Sequence, residues 1–392
     1  MSGVLILDGN QRSALAATRA LGARGVIVVV ADESPSTLAG SSKYCSSTFT
    51  YPAPAVDPEG FIAAVHREAA DRGVTVIFPM TDTTSYLLAR HRDRFSGIHI
   101  PLGSLAAVDT LLDKWKLHEL ARSLGIAVPR TFTVSDSREL ARIAPSLPFP
   151  LVVKPRRSRT WVNGRCIAAP VTYVHSIQEL EALVAKDPDL ARVPLLLQEY
   201  VSGEGQGVFA LYANGKPITF FAHRRLREKP PSGGVSVLSE SIALDPALRA
   251  MVERILDRVA WHGVVMIEFK VSPGGTPYLI EANPRFWGSL QLAIDAGVDF
   301  PYLLYQVAMG AVPDPLTTFK IGVKSRWLLG DLDHLYLAMR GFPGPNLRPR
   351  SRWRAMTAFL RSFEGPTFYD VNRKDDPKPF LLEIRRYLGA AH

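Results

Sequence analysis

MIEFKVSPGGTPYLIEANPRF (266–286) places two apolar runs, VVMIEFKV and PYLIEANP, on either side of SPGGT. Apolar runs joined by a turn-rich linker predict a β-hairpin. Each run carries one carboxylate among hydrophobic neighbours, Glu268 and Glu281, and Asn283 lies two residues beyond Glu281. A spacing of two in a strand points both side chains to one face. Pairing around the turn brings Glu268 near Glu281 across the ladder. Two carboxylates and an amide oxygen converging on one face repel unless a cation lies between them. Oxygen ligands of that kind suit Mg²⁺, which also takes phosphate oxygens. Arg285, two residues further on, can contact phosphate or carboxylate in bidentate fashion. The competing reading is an ordinary surface hairpin, against which an Asn-Pro-Arg after an apolar strand argues.

Upstream, DPALRAMVERILDRVAWHG (245–263) predicts an amphipathic helix. Asp245 caps it, Pro246 fits its first turn, and Leu248, Met251, Ile255 and Val259 form the buried stripe. In GVFALYANGKPITFFAH (207–223), Asn214-Gly215 between apolar runs is a strong hairpin signal, because both turn positions tolerate positive φ. LLLQEYV (195–201) is a further strand, so the chain reads as antiparallel from residue 195. Before it, VDTLLDKWKLHELARSLG (108–125) predicts one helix, capped by Asp109 and stopped by Gly125. VPRTFTV (128–134) and PFPLVVKP (148–155) predict strands. At the start, VLILD (4–8), a helix over 14–25 and VIVVVAD (26–32) alternate as strand, helix, strand, which implies a parallel sheet. The turn GNQRS (9–13) lacks a full GxGxxG, so a dinucleotide fingerprint is not supported.

The 392 residues suit two or three domains, and a hydrophobic share of 47% with 21% charged residues describes a globular protein with a full core. No stretch approaches the roughly 20 apolar residues of a membrane span, and the start has no cationic leader. The expectation is a cytoplasmic protein without membrane insertion. Cys45 and Cys166 have no partner at metal-ligand spacing and read as reduced thiols. The net charge is +9, and the densest basic runs are RPRSRWR (348–354), RRSR (156–159) and HRRLR (223–227). Charge alone would be compatible with nucleic acid, an acidic membrane surface or small polyanions. Two of these runs sit where a nucleotide site is expected, so no nucleic-acid partner is inferred. RPRSRWR reads as a solvated surface or a partner contact.

The hairpin resembles the metal-binding hairpin of ATP-grasp enzymes, a group that includes D-alanine–D-alanine ligase, biotin carboxylase and carbamoyl-phosphate synthetase. Within that group the chain is most similar to the carboxylate–amine ligases, over about residues 1–312. The resemblance implies a fold of mixed α/β and α+β class, an ATP-grasp fold with an N-terminal Rossmann-like (preATP-grasp) α/β domain. It divides the chain into 1–108, a small lysine-bearing subdomain at 109–194, a large subdomain with the metal hairpin at 195–315, and a C-terminal extension at 316–392. It implies ATP with Mg²⁺, or Mn²⁺ in its place, held by Glu268, Glu281 and Asn283, with Arg285 on phosphate or the acyl group. Lys114 in LLDKWKL and Lys154 in PLVVKP match the family's two phosphate lysines. LLLQEYVSGEGQGV resembles the interdomain hinge, where main chain at Glu199, Tyr200 and Val201 meets adenine. Glu199 or Glu204 would contact adenine amine or ribose, and both assignments stay open. Arg225 and Arg227, two apart on one predicted strand, match the arginines near the transferred phosphoryl group. Many members have a glycine- and serine-rich phosphate lid after the second lysine. Here RRSRTWVNGRC (156–166) carries only Gly164 and far more positive charge.

The reaction implied is activation of a carboxylate as its acyl phosphate, followed by attack of an amine, with small-molecule carboxylate and amine substrates and a homodimer as a possible assembly. The alternatives are a carboxylase or carboxyl kinase with another acceptor, and a non-catalytic nucleotide-binding regulator.

Overall fold

A computed structural model describes residues 3–134, 137–162, 165–167, 171–187, 190–316, 318–342, 351–363 and 366–389. Four strands open the chain: β1 (Gly3–Ile6), β2 (Ile27–Asp32), β3 (Ser47–Thr50) and β4 (Val74–Phe78). They form an all-parallel sheet in the order β3-β2-β1-β4. Helices α1 (Arg12–Gly22), α2 (Pro58–Asp71) and α3 (Asp82–Arg90) connect and flank it, as the expected alternation requires.

The next helical stretch departs from the expectation. Instead of one helix over 108–125 there are two, α4 (Leu105–Leu112) and α5 (Lys114–Ser123). Asp113 breaks the run. Its backbone is extended, and its side chain accepts from the amides of Trp115 and Lys116, so it caps α5. An Asp carboxylate competes well for the free amides of a helix start. Asp109 lies inside α4 and pairs instead with Lys116 at 2.6 Å and with Arg157. The break puts Lys114 in the first turn of α5.

Strands β5 (Thr131–Val134), β6 (Leu151–Pro155), β9 (Thr172–Val174) and β10 (Leu195–Glu199) make a small antiparallel sheet with α6 (Ser137–Ile143) and α7 (Ile177–Lys186). Between β6 and β9, β7 (Thr160–Val162) pairs with β8 (Arg165–Ile167). Gly164 of the lid lies outside the described residues, as do Arg348 and Arg350 of the basic run 348–354.

The main sheet has seven strands. They are β11 (Glu204–Ala213), β12 (Lys216–Lys229), β13 (Val235–Ser241), β14 (Gly263–Val271), β15 (Pro277–Asn283), β16 (Lys324–Arg326) and β17 (Thr367–Tyr369), in the order β15-β14-β11-β12-β13-β16-β17. Asn214 and Gly215 turn β11 into β12 at φ of 50° and 78°, positive values that asparagine tolerates and glycine adopts freely for want of a Cβ. The last two strands come from beyond residue 316, so the C-terminal segment is woven into this sheet. Helices α8 (Pro246–Arg258), α9 (Leu290–Asp295), α10 (Phe300–Ala308), α11 (Leu328–Met339), α12 (Arg352–Arg361) and α13 (Lys378–Gly389) complete the chain. Among the described residues, no helix is long and apolar enough to cross a membrane.

Packing joins these layers. One face of the main sheet, with Phe209, Phe221, Val264 and Met266, shares a core with Val4, Ile6, Val28 and Val30 of the parallel sheet and with Phe286 and Trp287. The other face, with Val208, Ala210, Val265 and Ile267, packs on α4, α5 and α8. The tail is anchored on α1. Buried Arg19 donates to the Asp376 carboxylate at 2.9 Å and to the carbonyls of Asp370, Val371 and Asp376. Asp376 also accepts from Ser42 and from the Lys43 amide, so DVNRKDDPKPFL (370–381) is tied back onto the N-terminal layer by polar contacts.

Candidate active site

Along β14 the residues on one face run Val264, Met266, Glu268, Lys270. The first two are buried in the shared core, and the carboxylate follows where that core ends. Glu268 stands directly opposite Glu281 on β15, and Met266 opposite Asn283. The hairpin register is therefore the one that brings the two carboxylates and the amide to one face.

Cations surround them. Arg225 of β12 donates to Glu268 Oε2 at 2.5 Å and to Glu228 at 2.9 Å. Lys114 Nζ lies 3.4 Å from Glu281 Oε2. Asn283 Nδ2 donates to Glu268 Oε1 at 3.3 Å, and Arg285 donates to Asn283 Oδ1 at 2.8 Å. Arg285 also pairs with Asp82, in the first turn of α3, at 2.5 Å. Lys154, almost fully buried at the end of β6, donates to Gln198 at 2.9 Å. Its backbone stands opposite Leu196 of β10, and the charges of both glutamates act on it.

The electrostatics follow from this crowding. Burial pushes the Glu281 carboxyl up, but Lys114, Lys154, Arg225 and Arg285 outweigh burial and hold it below the usual carboxylate range. Burial raises Glu268, and Arg225 only partly offsets that rise while the charge of Glu281 adds to it. Burial, followed by the neighbouring Lys114, lowers Lys154 to about 8. Two acids on a shared face, one kept ionised and the other easily protonated, suit a place where a divalent cation would take over the balancing role. Among the described residues, no three His, Cys, Asp or Glu side chains cluster for a metal. A cation here would therefore depend on Glu268, Glu281, the Asn283 amide and oxygens from its ligand, as Mg²⁺ with a nucleotide does.

Arg227 does not join this group. A β-bulge between Arg225 and Arg227 breaks the alternation, so Arg225 opposes Ser239 while Arg227 opposes Leu238. The extra residue reverses the facing of everything after it. Glu228 thereby meets Arg225, and Arg227 turns to buried Asp331 of α11, with two bonds of 2.6 Å, and to Ala358 and Ser362 near α12. Its assignment beside the phosphoryl group is corrected: it is a structural cation.

The hinge residues sit apart from the carboxylates. Glu199, Tyr200 and Val201 end β10 and lead into β11, linking the small sheet to the main one. The Glu199 carboxylate accepts from the Arg130 amide at 2.8 Å, and Tyr200 packs edge-on against Tyr173. Glu204 lies 3.6 Å from Arg224, which also holds Glu240. Arg224 and Arg225 alternate, so Glu204 belongs to the sheet face opposite Glu268.

Two contributors, Asp82 and His118, escaped the sequence reading, and a third, Arg156 of the lid run, has a partner it did not foresee. Asp82 follows β4 at the C-terminal mouth of the parallel sheet, a position where ligands gather in α/β folds; that placement is the signal that could have found it. His118 of α5 bonds the Ile280 carbonyl at 3.1 Å, where a register shift interrupts the β14–β15 pairing, and so ties the Lys114 helix to the hairpin. Arg156 binds the Asp113 cap at 2.8 Å, and its carbonyl accepts from the Lys114 amide at 3.0 Å. The arginine-rich lid base is thus fastened to the lysine helix.

A family model described as ATP-grasp in the biosynthetic pathway with Ter operon matches residues 191–329. The carbamoyl phosphate synthase large chain of Rubrobacter xylanophilus is 24% identical over 403 aligned residues, covering 93% of this chain and 37% of that protein. The chain spans about a fifth to just over a third of the length of such relatives. Among solved structures, an L-amino acid ligase from Bacillus licheniformis superimposes with a TM-score of 0.62 at 18% identity, over 79% of this chain and 74% of that one. A Hydrogenobacter thermophilus 2-oxoglutarate carboxylase biotin carboxylase domain, solved with MgADP and bicarbonate, gives 0.64 at 16% identity, over 83% and 73%. The hairpin that opened the sequence reading lies inside residues 191–329, which match the ATP-grasp model, and the chain is similar over most of its length to carbamoyl phosphate synthase large chains and shares the fold of ATP-grasp ligases.

Proposed function

We propose that the chain is an ATP- and Mg²⁺-dependent ligase that activates a small-molecule carboxylate as its acyl phosphate and joins it to an amine. The observation that carries this reading is the convergence of Glu268, Glu281 and Asn283 with Lys114, Lys154, Arg225 and Arg285 at one end of the main sheet. Two carboxylates set among four cations match a metal–triphosphate, which needs ligands for the ion and positive charge for phosphate oxygens.

In this reading Glu268, Glu281 and the Asn283 amide hold Mg²⁺, which neutralises phosphate charge when bound. Lys114 and Lys154 bind phosphate oxygens. Main chain at Glu199, Tyr200 and Val201 meets the adenine edge. Glu204 reaches the ribose only by leaving Arg224. The substrate carboxylate attacks the γ-phosphorus and ADP departs. The amine then attacks the acyl carbon, phosphate leaves, and the amine nitrogen loses a proton. No protein nucleophile is needed; the site aligns reactants and supplies fixed charge. Arg225 stabilises charge on the transferred group. Arg285 orients the carboxylate, itself steadied by Asp82 from the parallel-sheet domain.

The test is ADP release by the purified chain with ATP, Mg²⁺ and pools of carboxylic and amino acids, with hydroxylamine as a trap. The expected result is carboxylate-dependent ADP formation and a hydroxamate. ATP and Mg²⁺ binding without ADP formation in any pool would overturn the ligase reading in favour of a regulator.

A further inference from the structure

Helix α12 has an outer face unlike that of a solvated helix. It packs inward through buried Ala355 and Phe359. On the opposite side Trp353 and Leu360 stand seven residues apart, two helical turns, and are 80% and 56% exposed. Arg354 and Arg361 repeat the same interval beside them, and Arg352 lies on the other flank. The ten-residue helix contains no acid. Among the described residues, none of its three arginines has an ion-pair partner. An apolar ridge of Trp and Leu flanked by guanidinium groups is the pattern of a helix lying in a lipid headgroup layer.

We propose that α12 docks the protein reversibly on an anionic membrane surface, lying flat with Trp353 and Leu360 in the headgroup layer and the arginines on lipid phosphates or carboxylates. Charge complementarity favours this occupant. A protein groove would need carboxylates matched to both flanks of the helix and an apolar slot between them. A lipid surface offers negative charge everywhere and accepts an indole at headgroup depth. Nucleic acid would set phosphates against the apolar ridge. A ten-residue helix is far too short to span a bilayer, so the contact is peripheral. The proposal does not depend on the ligase reading.

The test uses the full chain and sedimentation with vesicles of phosphatidylcholine, with and without phosphatidylserine. Binding is expected only to the phosphatidylserine vesicles at low salt, with release at high salt. W353A/L360A and R354E/R361E should each lower the bound fraction at least ~tenfold. Both sets of side chains lie on the surface, so far-UV dichroism and ATP binding should be unchanged. Absence of phosphatidylserine-dependent binding, or undiminished binding by both double variants, overturns the proposal. Concentration-dependent self-association in its place, dissolved by W353A/L360A, would give the face to a second copy. Capture of duplex oligonucleotide in place of vesicles, lost in R354E/R361E, would give it to nucleic acid.

Discussion

Replacing Arg227 with methionine should lower stability and spare turnover, whereas the same change at Arg225, two residues earlier on the strand, should remove turnover. The contrast comes from the bulge that sends the two side chains in different directions. Asp331 has no exposed surface and accepts from Arg227 Nε and Nη2, each at 2.6 Å, and from Arg326 Nε at 2.7 Å. Removing one partner of a buried ion pair costs ~3–5 kcal/mol. Arg326 remains to face Asp331, so the lower end, about 3 kcal/mol, is expected. With an unfolding entropy of ~2.1 cal/mol/K per residue, that loss moves the melting temperature of a chain this size down by about 4 °C. Turnover per folded molecule, measured well below the melt, should stay within ~threefold of wild type. For Arg225→Met, loss of one charge donor at the transferred group should cost ~10²–10³ in rate. Differential scanning calorimetry alongside an ADP-release assay reads both quantities. An Arg227→Met protein that keeps its melting temperature but loses turnover would refute the argument from the bulge.

Three further outcomes follow from other parts of the molecule. Asp113→Ala should destabilise α5 by ~0.5–2 kcal/mol through its lost cap and weaken ATP binding, because Lys114 is held in that first turn; urea titration and calorimetric binding would measure the two effects. His118 is buried and held neutral, its pKa lowered to about 3 by burial and then by Lys154. The unfolded chain takes up a proton near ~6.5, so the contribution of this group is fully present above that pH and is lost as pH falls from there toward 3. His118→Gln should flatten the acid side of the stability profile, and an unchanged slope would refute the assignment. Asp376→Ala removes the buried partner of Arg19 and should cost ~3 kcal/mol, with limited proteolysis cutting the tail ahead of α13 in the variant but not in wild type.

Much of this was legible in the amino-acid order because the signals were local. The hairpin register follows from two apolar runs and a turn, and a period of two sends Glu268, Glu281 and Asn283 to one face. Asn214-Gly215 fixed its own turn by the φ values it tolerates. Arg227 was misplaced because the same period of two fails across a bulge, and HRRLREK carries no residue that announces one. The single helix over 108–125 was an error of capping: Asp109 and Asp113 are equally good caps in sequence, and Arg156, distant in the chain, binds the second. Asp82 was overlooked because its partner, Arg285, is about two hundred residues away. The weaving of β16 and β17 into the main sheet was hidden for a similar reason. Three-residue strands that pair across long intervals leave almost no periodicity to read.

The central claim is that the hairpin is the metal end of an ATP site, and Glu281 tests it most directly. The residue is a proposed ligand, and the surrounding cations already keep it ionised. ADP release with saturating ATP, Mg²⁺ and a productive carboxylate pool should fall at least ~100-fold in Glu281→Ala, a loss of ~2.7 kcal/mol in transition-state stabilisation. The variant should still melt cooperatively, since the Glu281 side chain is partly exposed and its pair with Lys114 is 3.4 Å long. ADP release at the wild-type rate from the folded variant would contradict the account.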